Sequence, residues 1–272
     1  MTIAGRSRCV LLRAFLSAGC AALCANSILA APDWTATLTH EPRGDFPELQ
    51  PVRAIYAFGW GGITAGTANV RFYRGDANTF VLEGKGRSTG LARVLWKYDV
   101  SYRSTANAET LHPLEMHQIE TARGKRIETQ LVFSDSGVTR TRTEGNPPRP
   151  STKDFTFENL NGLQSVLLYL RSQPLRDHSS YRVVVYPANS AYLAAITVAG
   201  HEHIRVRSGS YNAIKLDLQL KRIGNKNELE PHRKFRRASI WISDDSDRIL
   251  LRIEAQIFVG SVTAELQSVH FE

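Results

Sequence analysis

At 272 residues, with 42% hydrophobic and 22% charged side chains, the chain is long enough for one large domain and too apolar for a disordered polymer. All three cysteines, Cys9, Cys20 and Cys24, lie in the first thirty residues, so the remainder can carry no disulfide, thiolate nucleophile or cysteine metal site. The formal net charge of +8 falls to +5 once the three leader arginines are set aside, a mild excess that argues only weakly for anionic partners.

Residues 1–30 read as a secretory signal peptide. Arg6, Arg8 and Arg13 form a basic start, an uncharged apolar stretch runs from Ala14 to Leu29, and Ile28-Leu29-Ala30 offers a small residue for cleavage. Ser17, Gly19, Asn26 and Ser27 dilute the run below a membrane-spanning helix. Leu16 sits one residue too far from Cys20 for a lipidation motif. The expectation is a periplasmic protein with no permanent membrane span, held by its core rather than by disulfides. A chain of about 240 residues buries about 70% of its unfolded surface, enough for that.

Residues 31–52 form an extended, proline-bearing lead-in, with Pro32, Pro42, Pro47 and Pro51. Ala54, Tyr56, Phe58 and Trp60 alternate with Ile55, Ala57 and Gly59, so this strand is expected to be covered on both faces. After Gly61-Gly62, Ala68, Val70 and Phe72 give a second strand, and residues 74–78 a hairpin turn into Phe80 and Leu82. Residues 91–96 are apolar without a clear period. Strands follow at 98–103, 114–120 and 126–133, the last two as a hairpin around 122–125. Threonines and arginines at 138–144 suit an exposed edge strand. Asn146-Pro147-Pro148-Arg149-Pro150 reads as a rigid connector between two halves.

One helix is expected beyond it. Leu163, Val166, Leu167 and Leu170 share a face, Asn161 can cap the start, and Pro174 ends it. Strands resume at 181–186, 192–198, 203–207 and 214–220, and a polar loop spans 222–234. From Ala238 to Ser243 and from Ile249 to Val259 the residues alternate, with Ile253 and Ile257 expected inside. The apolar phase flips between Leu266 and Val269, the mark of a β-bulge near Gln267-Ser268. Gly61-Gly62-Ile63-Thr64-Ala65 with Val70 and Phe72 echoes Gly260-Ser261-Val262-Thr263-Ala264 with Val269 and Phe271, slip included. The fold class is therefore mostly β: a large antiparallel curved sheet or partly closed β-barrel with one short amphipathic helix. Residues 53–272 make a single β domain, in two lobes if the break at 146–150 separates them.

Several segments together resemble a bacterial exported family, domain-of-unknown-function family 3108. They are Tyr56-Ala57-Phe58-Gly59-Trp60 with Gly62-Ile63 and Gly66, Gln164-Ser165 with Tyr169-Leu170-Arg171, Gly200 through Glu202 with Gly209-Ser210-Tyr211, and Trp241-Ile242-Ser243-Asp244-Asp245 with Arg248 and Gly260. The resemblance covers residues 52 to 271 in order. It implies a mostly antiparallel β protein of the cell envelope and brings no reaction or catalytic residue. Asn161-Gly162-Leu163-Gln164 departs from the Asp that the resemblance implies near the helix start.

Candidate chemistry is sparse. His201-Glu202-His203 puts two imidazoles on one strand face, and His117 or His232 could add a third zinc ligand. No spacing identifies one, so a polar strand start is the better reading. Asp244-Asp245-Ser246-Asp247 could offer oxygen ligands to calcium, but it lacks the glycine and distal glutamate of a calcium loop and reads as a solvated turn. Glu83, Glu115, Glu120 and Asp99 could pair as carboxylates, although nothing fixes a separation. No nucleophile elbow, phosphate loop or dinucleotide fingerprint is present, so no catalytic residue, metal or cofactor is assigned.

The densest basic stretch runs from Lys221 to Arg237. Arg222, Lys226, Arg233, Lys234, Arg236 and Arg237 are the candidate residues for meeting anionic lipid or an envelope glycan, against the alternative of a merely solvated loop. Nucleic acid is not an expected partner after export. The leading expectation is a non-enzymatic binding or carrier protein for an apolar or amphipathic envelope component, held in the cavity that curved sheets often enclose. The alternatives are an envelope assembly or scaffold protein that binds another protein at a sheet edge, or a hydrolase with no recognisable motif.

Overall fold

The computed structural model of the chain describes residues 33–45, 49–76, 78–232, 235–257 and 260–272, with backbone alone at 235 and 236. The segment expected to be a signal peptide, with its cleavage site, lies outside the described residues. The chain divides into two units, residues 1–36 and 37–272, and the second carries all the strands.

The first half gives β1 (Val52–Trp60), β2 (Ile63–Arg74), β3 (Thr79–Ser88), the helix α1 (Gly90–Leu95), β4 (Tyr98–Asn107), β5 (Pro113–Ala122), β6 (Lys125–Ser134), β7 (Gly137–Glu144) and β8 (Arg149–Thr156). The helix α2 (Leu163–Ser172) follows. Then come β9 (Ser180–Val185), β10 (Tyr192–Val206), β11 (Gly209–Ile223), β12 (Leu229–Pro231), β13 (Phe235–Ser243), β14 (Leu250–Ile257) and β15 (Ser261–Phe271). Fourteen strands form one antiparallel path, β8-β7-β6-β5-β4-β3-β2-β1-β15-β14-β13-β11-β10-β9, and β12 adds to β11. The path is open: among the described residues β8 and β9 do not pair with each other.

The hairpins follow their turn chemistry. Arg123 and Gly124 both take positive φ, 51° and 81°, the mirror-image turn whose twist matches the flanking strands. The segment at 146–150 is a correction. Residues 145–148 are the turn of the β7–β8 hairpin, and Pro150 lies within β8 opposite Thr143. Proline is tolerated there because β8 is an outer strand with no ladder to feed on its far side. It follows that β7, expected to be the exposed edge, is covered by β8.

The echo between residues 61–72 and 260–271 has a structural meaning. Both segments flank β1. Ile63 and Val262 both lie opposite Trp60, Val70 and Val269 opposite Ala54, and Phe72 and Phe271 opposite Val52. The slip in β15 falls at Gln267, as its alternation predicts: Ile55 pairs with Ser268 and Tyr56 with Leu266. The slip in β2 falls at Ala65, nearer the strand start than the echo implies.

The core gathers around α2. Val166 and Leu170 pack with Val183, Val185, Ile196, Ile214 and Leu216 of the β9–β11 arm. Leu168 packs with Leu49, Phe80, Ala106 and Leu111 on the β3–β4 side. The Gln164 amide donates to the Phe80 carbonyl (3.1 Å) and accepts from the Ser104 hydroxyl (2.6 Å). One helix thus ties both arms of the sheet. Its start is one residue later than expected: Gly162 is the cap, and Asn161 instead accepts from the Ser165 hydroxyl at 3.3 Å. The void beside it is only about 10 Å³, at or below what a water needs. The concavity there is filled by side chains, not by the apolar cavity the curvature suggested.

Burial on β1 and β14 also departs from the alternation. On β1, Ala54, Tyr56 and Ala57 are buried, whereas Ile55, Phe58 and Trp60 are exposed, because the strand runs out past the packed layer. On β14, Leu251 and Ala255 are buried and Ile253 and Ile257 are only half-buried.

Candidate functional site

The exposed end of β1 belongs to an apolar lip. The bulge at Ala65 frees its carbonyl from the β1 ladder, and it accepts the Thr89 N–H at the start of α1 (2.9 Å). Gly66 permits that approach, since a Cβ there would meet the Arg87 carbonyl oxygen at 2.7 Å. At the other end of the segment, the Ser88 hydroxyl donates to the Trp96 carbonyl and accepts the Tyr98 N–H.

Leu91, Val94 and Leu95 stand at i, i+3 and i+4, a stripe that in a soluble helix faces the core. Here it faces outward. Arg93, on the other side, donates to both carboxylate oxygens of Asp99 (3.0 and 3.2 Å) and to the Ser88 carbonyl. The pair lies on the sheet side of the helix and is itself partly exposed, while Leu91, Val94 and Leu95 are 79, 83 and 79% exposed. Trp96, Trp60 and Ile63 are also exposed, and the start of α1 is joined to the start of β2 by the Thr89–Ala65 backbone bond. That turn is held against β15 by the Gly61 N–H on the Ser261 carbonyl. The Tyr98 hydroxyl titrates well above its ordinary range, from burial first and the Glu120 carboxylate second.

Cations border this lip. The Arg123 N–H donates to the Lys97 carbonyl, which seats the β5–β6 turn beside α1. Arg87, Lys97, Arg123 and Lys125 are exposed and make no ion pair among the described residues. The strand pairing gives the wider pattern. On this rim the connections between neighbouring strands carry Arg93, Lys97, Arg123 and Lys226 against Glu228 and Glu230, among the described residues. On the opposite rim they carry Asp76, Glu109, Asp135, Asp244, Asp245 and Asp247 against Arg207 and Arg248.

The basic residues expected from the sequence come to the same rim, on the far side of the β14–β15 turn. Arg222 is offset by Glu230 at 3.1 Å, Lys226 is exposed, and Arg237 donates to the Gln256 side-chain amide oxygen. Arg236 lies at the start of β13, and Arg233 and Lys234 lie outside the described residues. The lip itself was missed by sequence reasoning. Six residues are too few to establish a helical period, although an apolar run with so little polar surface was the available signal.

The other candidates are dispersed. His201 sits between Asp244 (2.8 Å) and Asp177 (3.4 Å), His203 contacts Asn212, and His117 pairs with Glu128. His232 lies against the Tyr192 ring. No group of three potential ligands is set to hold a metal among the described residues. Asp245 closes its turn by accepting from the Ser243 hydroxyl and from the Asp247 and Arg248 N–H groups. Glu83 pairs with Arg103 and Glu120 with the Tyr98 hydroxyl, so these carboxylates face separate partners. An open cleft of about 280 Å³ has polar walls, including His40, Arg43, His112 and Arg182. Among the described residues no helix is long and apolar enough to cross a membrane.

A family model described as a protein of unknown function, DUF3108, matches residues 55–267. Among solved structures, the chain is similar to a β-barrel-like protein of domain of unknown function DUF1849 from Brucella abortus. The two share 11% identity over 83% of this chain and 99% of that one, with a TM-score of 0.59. A weaker likeness is to a candidate lipoprotein from Parabacteroides distasonis, at 8% identity over 85% and 100% of the chains and a TM-score of 0.35. Another is to a candidate exported protein from Bacteroides fragilis, at 10% identity over 83% and 98% and a TM-score of 0.32. No curated protein matches.

Proposed function

The chain belongs to the DUF3108 family, and from that premise we propose that it is an exported binding protein of the cell envelope that takes an apolar or amphipathic component without chemical turnover. The observation that carries this reading is the outward stripe of Leu91, Val94 and Leu95, with the Arg93–Asp99 pair on the opposite side of the helix. Large apolar side chains grouped at one spot on a protein surface mark a contact site. Because α2 fills the concavity, the component is taken at the lip and not in an enclosed barrel. The scaffold alternative is less favoured, since the outer strand β8 carries Pro150 and Lys153, which discourage strand addition.

Titration with dodecylphosphocholine, followed by tryptophan emission, tests the reading. Trp60 and Trp96 sit on the lip, so a blue shift is expected, and it should shrink in Trp96→Phe. Leu91→Ser with Leu95→Ser should weaken the apparent affinity at least tenfold, because each leucine that becomes fully covered contributes about 1.5–3 kcal/mol. An unshifted emission spectrum at saturating amphiphile would remove the proposal. Export is tested separately. Protein recovered from the periplasm should begin at or next to Ala31, and a soluble form still starting at Met1 would contradict that part.

A further inference from the structure

Resting on that reading, we infer that the lip docks on an anionic bilayer surface, with this rim of the sheet turned toward the lipid. Charge complementarity selects the occupant. The apolar side chains are flanked by Arg87, Lys97, Arg123 and Lys125, exposed and unengaged by acids among the described residues. The acidic connections are gathered at the other ends of the same strands. An anionic plane therefore attracts one rim and repels the other, which orients the molecule before any apolar contact forms.

The side chains at the lip match the layers of a bilayer interface. Leu91, Val94 and Leu95 suit shallow burial at the acyl boundary. Trp60 and Trp96 are the residue type enriched at headgroup depth. The cations stand behind them on turns anchored to the sheet, where they meet lipid phosphates. Arg93 is paired with Asp99 on the sheet side of the helix and is not counted among these cations.

Flotation of the protein recovered from the periplasm with vesicles tests this, so that the basic, apolar leader contributes nothing to binding. The vesicles are pure phosphatidylcholine or a mixture with 30% phosphatidylglycerol, at low and high salt. Wild-type protein should float with the anionic vesicles and lose most of that binding at high salt, because exposed charges are screened within a few ångströms at ~1 M. The triple change Lys97→Gln, Arg123→Gln and Lys125→Gln should weaken anionic binding tenfold or more, given about fivefold per basic residue at such a surface. Asp76→Asn with Asp135→Asn, on the opposite rim, should leave it unchanged or stronger. Leu91→Ser with Leu95→Ser should weaken binding to both vesicle types, with circular dichroism confirming the fold. Quenching of wild-type Trp96 by headgroup-region spin-labelled lipid gives a readout that needs no variant that perturbs the lip.

Equal binding to neutral and anionic vesicles, or an undiminished triple variant, overturns the inference. If wild-type protein shifts its emission with dodecylphosphocholine yet ignores both vesicle types, the bilayer inference fails and the binding reading survives. If it responds to neither, both fall.

Discussion

Leu251→Asp is expected to leave no cooperatively folded protein at 25 °C. Leu251 has no exposed surface and packs in β14 against Ala54, Tyr56, Trp241 and Leu266. A carboxylate there has no partner, so the change combines a lost apolar contact with a buried charge. Losses of that kind exceed about 4–5 kcal/mol, against a total stability of about 5–15 kcal/mol. Ile253→Asp, two residues along on the same face, should cost clearly less, because Ile253 is only half-buried. Glu254→Ala should be nearly neutral, since its pair with Arg252 is partly exposed and such pairs contribute about 0–1 kcal/mol. Urea titration followed by circular dichroism ranks the three. Equal losses at 251 and 254 would mean that β14 is covered on both faces.

The second large effect is expected at α2. Leu168→Ala should cost about 2–5 kcal/mol, the range for truncating a buried leucine. Its position gives the change a second signature. Leu168 contacts the β3–β4 side while Val166 and Leu170 contact the β9–β11 arm, so the helix couples the two. Weakening one contact set should broaden the unfolding transition, lowering the apparent slope as well as the midpoint, because the arms cease to unfold together. Gln164→Ala should act in the same direction at about 1–3 kcal/mol, since it strips a partner from two buried groups. A loss below about 1 kcal/mol for Leu168→Ala, with an unchanged slope, would show that the helix is an appendage.

These two cases also mark how far the sequence could be read. Alternation located the strands of the closing meander and the bulge at Gln267, because a one-residue slip transfers every later side chain to the other face. The helix around Val166 and Leu170 was legible from its period, but its buried face was not. Leu163 and Leu167, expected beside them, are exposed, and Gln164 and Leu168 are buried instead because the helix packs against both arms of the sheet. Depth was not legible either. Alternation separates two faces but does not say how far along a strand the packed layer extends, so Ile253 and Leu251 looked alike. The proline-rich stretch at 146–150 misled for a related reason: proline excludes a central strand, and only the strand order reveals β8 as an outer one.

The lip was hidden more deeply. It is placed by the Arg93–Asp99 contact and the bulge at Ala65, neither of which is visible in the periodicity of residues 91–96. The basic residues near 222–237 were noticed, yet their placement on the same rim as Lys97 and Arg123 comes from pairing between strands far apart in sequence. The sorting of charge between the two rims is likewise a property of connectivity, since from Asp76 to Asp135 acidic and basic connections alternate with each reversal of direction.

The place of β1 between β2 and β15 has a consequence in time. A chain emerging from its amino end makes β1 first, and β2 can join it at once, but the other side of β1 waits for residues 261–271. The middle of the sheet is therefore completed last, by the longest loop closure in the molecule, and long-range pairing of this kind is slow. Until then one flank of β1 presents unpaired N–H and C=O groups over nine residues. A nascent chain in that condition is the form most in need of protection from its own neighbours.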